Sequence, residues 1–517
     1  MTGNGGHGRS DLLDRLERDT FDMVVVGGGI TGAAIARRAA REGYSVALLE
    51  RNDFGSGTTS ASSKMLHGGL RYLEHGHLRL VREALHERGE LVRSLGKTRV
   101  AVVPFLLPVY GGRWPEWRLR FGTWLYQHLS GELALGPRSV LSPAETLKVV
   151  PPLNPQGLSR GILYYEGVVD DALLTVHVVE EAVLAGAVAV NHVEVMRPTL
   201  TAGRITGLAY RDFLGGRTGE VKARGVVNAA GVWSRGWAGD WRTPELRPSK
   251  GVHLVFYRKR LPLDAAVVMD AGDGRWVFAL PYGRLVVVGT TDTDFNGDPD
   301  TVRPEVEDVR YLLQVVNSTF PQARVRAHDI VDVFAGLRPL LRGSGNSTSD
   351  LSREYAIHRD PSGLFTVVGG KLTTHGAMAE KALEAWQHDH PLPPTARSLA
   401  RGKEPPDEIP WPGSEIILSI WPPGSDGWRS DVEQIARRAL ARLNPATLGD
   451  VIDRRLHLLN KLDPDFEQAL DELAVITGKA LGWSAEREAT EKRQYRERAS
   501  WLTESVRLCR EQEARAA

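Results

Sequence analysis

Residues 22–32 read DMVVVGGGITG, and a second apolar run, SVALLE, ends at Glu50. Met23–Val26 is short, continuous and apolar, which fits a parallel strand buried on both faces. Gly27, Gly29 and Gly32 then stand in G-x-G-x-x-G spacing. The first permits a tight turn, the second lets backbone approach a pyrophosphate, and the third lets helix pack closely on strand. The segment from Ala33 to Glu42 is rich in Ala and Arg and lacks Pro, so it predicts a helix. Its N-terminus would point backbone N–H groups at phosphates. Glu50 follows Gly32 by 18 residues, about where an acid meets a ribose hydroxyl. A lone glycine motif is a weak signal. With a strand before it, a helix after it and an acid in place, it predicts dinucleotide binding. The competing reading is a Gly-rich turn in some other α/β unit.

The chain has 517 residues, too many for one simple core, so two or more domains are expected. Charged residues make up 25% and hydrophobic ones 42%, the balance of a soluble globular protein. A formal net charge of +1 provides no electrostatic argument for nucleic acid. The single cysteine, Cys509, excludes an internal disulfide and a cysteine-based metal site within one chain. That fits a reducing, cytoplasmic compartment, and no metal is expected. No apolar stretch reaches the ~18 residues that span a bilayer. The first twenty residues have no apolar core like that of a signal peptide. They read as a flexible segment, in which Leu12, Leu13 and Leu16 are placed to form a short helix leading into the first strand.

Further along, Asp171–Ala185 predicts a helix with Leu173, Leu174, Val178 and Val179 inward, and Ala187–Val195 a strand. Gly203–Asp212 and Val221–Gly231 follow, the latter carrying the chain back to a glycine turn. Gly251–Tyr257, Arg275–Leu280 and Arg284–Thr290 read as antiparallel strands of a second sheet, Pro304–Asn317 as a helix, and Leu364–Gly370 as a buried strand. From Pro391 onward prolines accumulate, marking a linker over 391–430. Beyond it, Asp431–Leu443, Thr447–Leu459, Asp465–Leu481 and Ala485–Arg510 have helical patterning. The expected domains are therefore 1–20 flexible, 21–390 cofactor and substrate domains interleaved in sequence, 391–430 linker, and 431–517 a small helical C-terminal domain. No internal repeat is present.

The stretch after Glu50 narrows the cofactor. Asn52–Arg71, NDFGSGTTSASSKMLHGGLR, is a long Gly/Ser/Thr run where a nicotinamide enzyme would usually continue regular alternation. Small hydroxyl residues and backbone donors suit an extended flavin. The run SASSKMLHGGLRYLEH (60–75) resembles the FAD-dependent glycerol-3-phosphate dehydrogenases, members of the D-amino-acid-oxidase-like flavoproteins. YYEGVVDDALL (164–174), VVNAAGVWS (226–234), SKGVHLV (249–255), VVVGTTDTDFNGDP (286–299), VFAGLRPLL (333–341), SREYAI (352–357) and VVGGKLTT (367–374) match in the same order. TLGDVIDRR (447–455) is similar to the family's helical-domain signature. The resemblance covers about residues 10–390 closely and 430–500 loosely. It implies an α/β fold with a Rossmann-like FAD-binding domain, an antiparallel-sheet substrate domain and an all-helical C-terminal domain. There are two departures. His375 and Gly376 stand where the family commonly has an aromatic residue and an arginine, and 395–445 is short and irregular.

By the same resemblance, Arg71, Tyr72, Arg353 and Lys371 match the residues at the substrate's phosphate end. Arginine suits that task because its planar fork binds phosphate oxygens in pairs. Arg338 matches an arginine beside the flavin and the substrate hydroxyl, and His67 and His253 match histidines near the isoalloxazine. Oxidation of a secondary alcohol needs a hydride acceptor and a base, and either histidine is a candidate for the proton. Gly27, Gly28, Gly29, Thr31 and Gly32 would hold the pyrophosphate, and Glu50 the adenosine ribose. Thr59, Ser60, Ser63 and Lys64 would line the flavin or pyrophosphate path, Val193 the adenine side, Ala230 and Gly231 a second approach, and Thr373 the pyrimidine ring. Asp170 and Asp171 read first as a helix cap.

The resemblance implies oxidation of sn-glycerol 3-phosphate to dihydroxyacetone phosphate, with electrons passed from FAD to a quinone. The rival activities are a glycerol-3-phosphate oxidase using oxygen and a dehydrogenase of another hydroxy acid or phosphorylated polyol. A flavin-binding protein without turnover is a rival of a different class. Arg71, Arg338, Arg353 and Lys371 together argue against it, because a dead site has no need of four cations. Residues 113–129, RWPEWRLRFGTWLYQHL, put Trp117, Phe121, Trp124, Leu125 and His128 at helical spacing beside Arg113, Arg118 and Arg120. This mixture suits a membrane interface, and the alternative is a helix packed on the core. Peripheral attachment to the cytoplasmic face of the membrane and a homodimer complete the expectations.

Overall fold

A computed structural model of the chain describes residues 8–73, 76–96, 99–111, 116–235, 243–342, 355–392, 428–443 and 445–516. Arg113, Arg353 and most of the proline-rich stretch lie outside the described residues.

The strand Thr20–Val26 carries Val24 and Val25 at no exposure, as an apolar run covered on both faces requires. It pairs in parallel with Val46–Leu49 on one side and Thr218–Asn228 on the other. Val188–Val190 extends the sheet in parallel beyond Val46–Leu49, and Leu364–Gly369 beyond Thr218–Asn228. Tyr355–Arg359 closes that edge antiparallel. The helices Ile30–Glu42, Asp171–Leu184 and His375–Asp389 pack together on one face, burying a core that includes Ala36, Ala39, Val178 and Trp386. Leu12, Leu13 and Leu16 are buried on the helix Arg9–Arg18. The expected looseness of 1–20 is thus corrected for that stretch, because three leucines at helical spacing find a core to cover.

Among the described residues the second sheet has ten strands. Ser249–Tyr257 lies one strand in from an edge, antiparallel to both Leu285–Gly289 and Ile330–Arg338. That register sets His253 opposite Phe334 and Ser249 opposite Arg338. Met65–Leu66 joins the far edge through Leu158–Val169. The loop between cofactor fold and second sheet is therefore held at both ends by strand pairing.

The helices Trp428–Leu440, Phe466–Leu481 and Ala485–Ala516 form where the pattern predicted helices. The long helix expected over 447–459 does not. A single π-helical turn, Asp450–Arg455, stands there instead. Asp450 accepts from the amides of Ala446 and Thr447, and His457 takes the left-handed conformation at φ 51° and turns the chain aside. The wide turn lets the consecutive Arg454 and Arg455 both reach Asp53. The last helix leaves the helical cluster partway along, and its Val506 and Cys509 are buried in the core of the second sheet.

Candidate active site

The glycine turn closes as its spacing demands. Gly27 sits at φ 105°, and a Cβ there would come 2.7 Å from the Ala229 carbonyl oxygen. At Gly32 a Cβ would lie 1.9 Å from the Gly27 carbonyl oxygen, so only glycine lets this helix cross its strand so closely. Gly29 caps the helix Ile30–Glu42. Gly28 faces away from the cavity, packing where a Cβ would strike Phe54 and Glu50. Its amide donates to Glu50 Oε2 at 2.7 Å, and the Asn52 amide to Oε1 at 2.8 Å. Burial raises the Glu50 carboxyl above its ordinary range, and these two amides offset part of that.

Beside the turn lies a cavity of about 460 Å³. Gly27, Gly29, Thr31, Glu50, Thr59, Val193, Ala230, Gly231 and Lys371 line it, so most of the expected cofactor residues are brought together. Thr59 Oγ1 also accepts from the Ile30 amide at 3.2 Å. Other residues expected on this path are placed differently. Ser60 lines an adjoining cavity of about 720 Å³, and its carbonyl accepts from Lys64 Nζ at 3.3 Å. Ser63 Oγ lies 2.9 Å from His253 Nε2. Lys64 is fully buried, with Nζ 2.9 Å from Asp171 Oδ1 and 3.1 Å from His457 Nε2. A buried ammonium must be paired, and Asp171 supplies the partner; Lys64 is not on the lining of the cavity beside the glycine turn. Asp170 caps its helix by accepting from the Leu173 amide. The signal for this cluster was present in VVDDALL, where a cap needs only one of the two aspartates.

The residues expected at the substrate end come from two parts of the fold. Lys371 Nζ stands 3.8 Å from the centre of the Tyr72 ring, a cation–π contact where the cavity meets the 69–72 turn. Arg71 donates to the Gly274 carbonyl at 3.2 Å, tying that turn to the second sheet. The His67 amide donates to Thr373 Oγ1 at 3.1 Å, and the Gly68 amide to Tyr126 Oη at 2.7 Å. From the second sheet, Arg338 donates to Ser249 Oγ at 3.2 Å, Thr290 Oγ1 at 2.9 Å and the Thr291 carbonyl at 3.1 Å. His253 is buried and stacks on Phe334 at 4.8 Å. Burial holds its imidazole well below the ordinary range, and the charges of Arg338 and Lys64 push the same way. Phe334 was not legible as a site residue, because nothing in VFAGLRP marks which face meets the histidine.

His375, one of the departures, is buried, with Nδ1 2.8 Å from the Leu372 carbonyl. At Gly376 a Cβ would lie 2.7 Å from Glu87 Oε2, and that carboxylate accepts from the Ala377 amide. Neither residue lines the cofactor cavity. Burial, with Arg37 adding, pushes the His375 imidazole down to about 4. In the unfolded chain it takes a proton near pH 6.5. As pH falls the unfolded state binds the proton first. This contribution is therefore intact above pH 6.5, lost progressively between 6.5 and 4, and gone below. His177, pushed to about 4 by burial, behaves alike. Each costs about 2 kcal/mol at pH 5. Guanidinium unfolding should show a lower midpoint at pH 5 than at pH 7, and His375→Phe should shrink the difference. An unchanged difference would remove His375 from this account.

Three aromatics of residues 116–130 are on the surface. On the helix Glu116–Ser130 the buried face is Leu119, Thr123, Tyr126 and Ser130, while Trp117, Phe121 and Trp124 are 68%, 57% and 51% exposed. The helix packs on the core, as the second reading expects, through Leu119 and Tyr126, and leaves those three aromatics exposed. Among the described residues no helix is long and apolar enough to cross a membrane.

Three comparisons bear on this geometry. The FAD dependent oxidoreductase family matches residues 22–385. A glycerol-3-phosphate dehydrogenase of Mycobacterium leprae is 38% identical over 384 residues, which is 74% of this chain and 65% of that protein. The aerobic glycerol-3-phosphate dehydrogenase of Bacillus subtilis is 38% identical over 73% of this chain and 68% of its own. The chain thus spans about two thirds of the length of the curated relatives it matches, just under that for the first. The crystal structure of the glycerol-3-phosphate dehydrogenase from Bacillus halodurans, complexed with FAD, superposes with a TM-score of 0.72 at 26% identity, covering 97% of this chain and 98% of that one.

Proposed function

The chain belongs to the FAD-dependent oxidoreductases, and from that premise we propose that it oxidises sn-glycerol 3-phosphate at the secondary carbon to dihydroxyacetone phosphate and passes the electrons to a quinone. The observation that carries this reading is a glycine-walled cavity with Lys371 on its lining. Lys371 lies against Tyr72, and in the second sheet the guanidinium of Arg338 stands near enough to the imidazole of His253 to depress its basicity.

The cavity fits FAD. Its floor is backbone without side chains at Gly27, Gly29 and Gly231, where a pyrophosphate needs close approach. Glu50 faces it as an acceptor for ribose hydroxyls. When bound there, FAD supplies the acceptor for a hydride from the substrate carbon. The remaining work falls to this chain's side chains. Lys371 and Arg71 neutralise the substrate phosphate, and Arg338 orients the hydroxyl. A neutral His253 takes the hydroxyl proton, a task that its depressed basicity in the free site makes demanding until substrate charge enters. Arg353 belongs to the same phosphate end by family resemblance and lies outside the described residues.

The exposed Trp117, Phe121 and Trp124, flanked by exposed Arg118 and Arg120, support peripheral contact with the cytoplasmic face of a membrane, where a quinone is reached. A homodimer is carried by family resemblance alone. The test is to add glycerol 3-phosphate to the purified FAD-loaded protein without oxygen and follow the flavin absorbance. Bleaching is expected. Absence of bleaching overturns the substrate assignment, and bleaching followed by rapid reoxidation in air replaces quinone with oxygen as the acceptor.

A further inference from the structure

The turn that carries Arg71 and Tyr72 hangs from two side-chain hydroxyls. Met65–Leu66 leads into it, paired with the strand Leu158–Val169. Past that pairing, two consecutive amides go to different elements. The His67 amide donates to Thr373 Oγ1, two residues after Lys371. The Gly68 amide donates to Tyr126 Oη at 2.7 Å, on the helix Glu116–Ser130. The turn then closes at Gly69, which stands at φ 80° and whose carbonyl accepts from the Tyr72 amide at 2.9 Å. A Cβ on Gly69 would run into the Tyr72 ring. That ring is the one whose centre lies 3.8 Å from Lys371 Nζ.

The Tyr126 hydroxyl is committed on both sides. Tyr126, Glu166 and Arg88 are all buried, and they come from the helix Glu116–Ser130, the strand Leu158–Val169 and the helix Leu78–Leu95. Arg88 Nη1 lies 2.6 Å from Glu166 Oε2, and the Tyr126 hydroxyl donates to Glu166 Oε1. Arg88 also donates to the Tyr165 carbonyl at 3.2 Å and to Ser130 Oγ at 3.3 Å. Burial raises the Glu166 carboxyl, and Arg88 and the phenol offset part of that. Burial raises the phenol well above its ordinary range, and the neighbouring carboxylate adds to this, so the phenol keeps its proton. An ionised carboxylate only accepts. The phenol proton therefore goes to Glu166, and the oxygen's lone pairs face the Gly68 amide. None of the three residues lines the cofactor cavity, so the network bears on the turn rather than on the cofactor.

We infer that Tyr126 is a positioning residue for the phosphate end of the substrate, because its hydroxyl, fixed by the Arg88–Glu166 pair, holds the Gly68 amide and so sets where Arg71 and Tyr72 stand relative to Lys371. The inference rests on the reading of Arg71, Tyr72 and Lys371 as the phosphate cradle. A turn held in advance does not have to be ordered when substrate arrives, which raises affinity. The phosphate takes no part in the bond changes and is bound alike before and during hydride transfer. The network therefore sets affinity and leaves the limiting rate alone.

The experiment compares the FAD-loaded full chain with Tyr126→Phe, which removes one oxygen and keeps the ring set edge-on to Tyr164. In anaerobic flavin reduction, the glycerol 3-phosphate concentration for half-maximal rate should rise about tenfold. The limiting rate and the flavin content should stay within about twofold of the parent. Competition by inorganic phosphate should weaken by the same factor as the substrate. Without substrate, hydrogen exchange of a peptide covering 67–72, read by mass spectrometry, should quicken in the variant, while exchange around 27–32 stays as in the parent. Gly68→Ala attacks the same bond from the other side, since its Cβ would lie 2.7 Å from Tyr126 Oη and 2.5 Å from Leu85 Cδ2. It should give the same shift, and it replaces Tyr126→Phe if that variant does not fold. An unchanged half-maximal concentration, a fall in limiting rate alone, or loss of flavin overturns the inference. If the parent protein is not reduced by glycerol 3-phosphate, the proposed substrate fails. The hold of Tyr126 on the turn is then read from exchange alone, and unchanged exchange in the variant overturns it.

Discussion

Arg338→Ala is expected to retain FAD yet lose at least about a thousandfold in the rate of flavin reduction by glycerol 3-phosphate, equivalent to about 4 kcal/mol of transition-state stabilisation. The size follows from how the guanidinium is held. It ends the strand Ile330–Arg338, so its backbone is fixed by pairing with Ser249. Three oxygens take its N–H groups, from Ser249, Thr290 and Thr291, and Asp292 lies 3.5 Å away. The side chain is 19% exposed, so little water screens it. A cation fixed in advance stabilises developing charge without reorganising when the reaction occurs. The same charge helps to hold His253 neutral. Arg338→Ala should therefore raise the histidine's basicity as well as remove the fork. Arg338→Lys, which keeps charge but not the fork, should fall between the two. Stopped-flow reduction under nitrogen and the protein-to-flavin absorbance ratio read both parts. Loss of FAD from Arg338→Ala would mean that the arginine serves the cofactor.

Arg455→Ala is expected to destabilise the fold by about 3–5 kcal/mol, because it strands a buried carboxylate. Asp53 and Arg455 have no side-chain exposure, and they meet through paired contacts of 2.5 and 3.0 Å. Arg454 and Asn191 complete the shell at 3.4 and 2.9 Å. Replacing both members, as in Asp53→Leu with Arg455→Met, should cost less than Arg455→Ala alone, since no unpaired charge is left inside. Asp53 lies three residues after Glu50. The single variant should therefore also release FAD at lower guanidinium concentration than the parent. Unfolding followed by tryptophan emission and by flavin fluorescence measures the two effects. If Arg455→Ala unfolds with the parent, the C-terminal region does not support the cofactor loop.

Together these two predictions show where the sequence could be read and where it could not. The glycine turn was legible because its constraints are local. Gly32 meets the backbone of Gly27 and Gly27 that of Ala229 at the end of the neighbouring strand, and spacing encodes that. Apolar runs identified Thr20–Val26 and Leu364–Gly369 for the same reason. Lys64 was not legible. Its chemistry is decided by Asp171, 107 positions away, and His457, 393 positions away, and no local pattern reports a partner at that distance. The helix expected over 447–459 failed similarly, because Asp53 draws Arg454 and Arg455 into one wide turn.

The sequence by itself determined that this chain has a dinucleotide-type glycine turn with an acid just after the next strand, a second, mostly antiparallel sheet and a helical C-terminal region. Each follows from backbone sterics or hydrophobic period within one or two elements. Only the tertiary structure decided which face of Glu116–Ser130 meets water, that Ser63 reaches His253 while Lys64 pairs with Asp171, and that His253 is buried against Phe334. Those outcomes depend on burial and charge pairing between segments far apart in sequence, and a buried charge takes whichever partner the fold brings within reach.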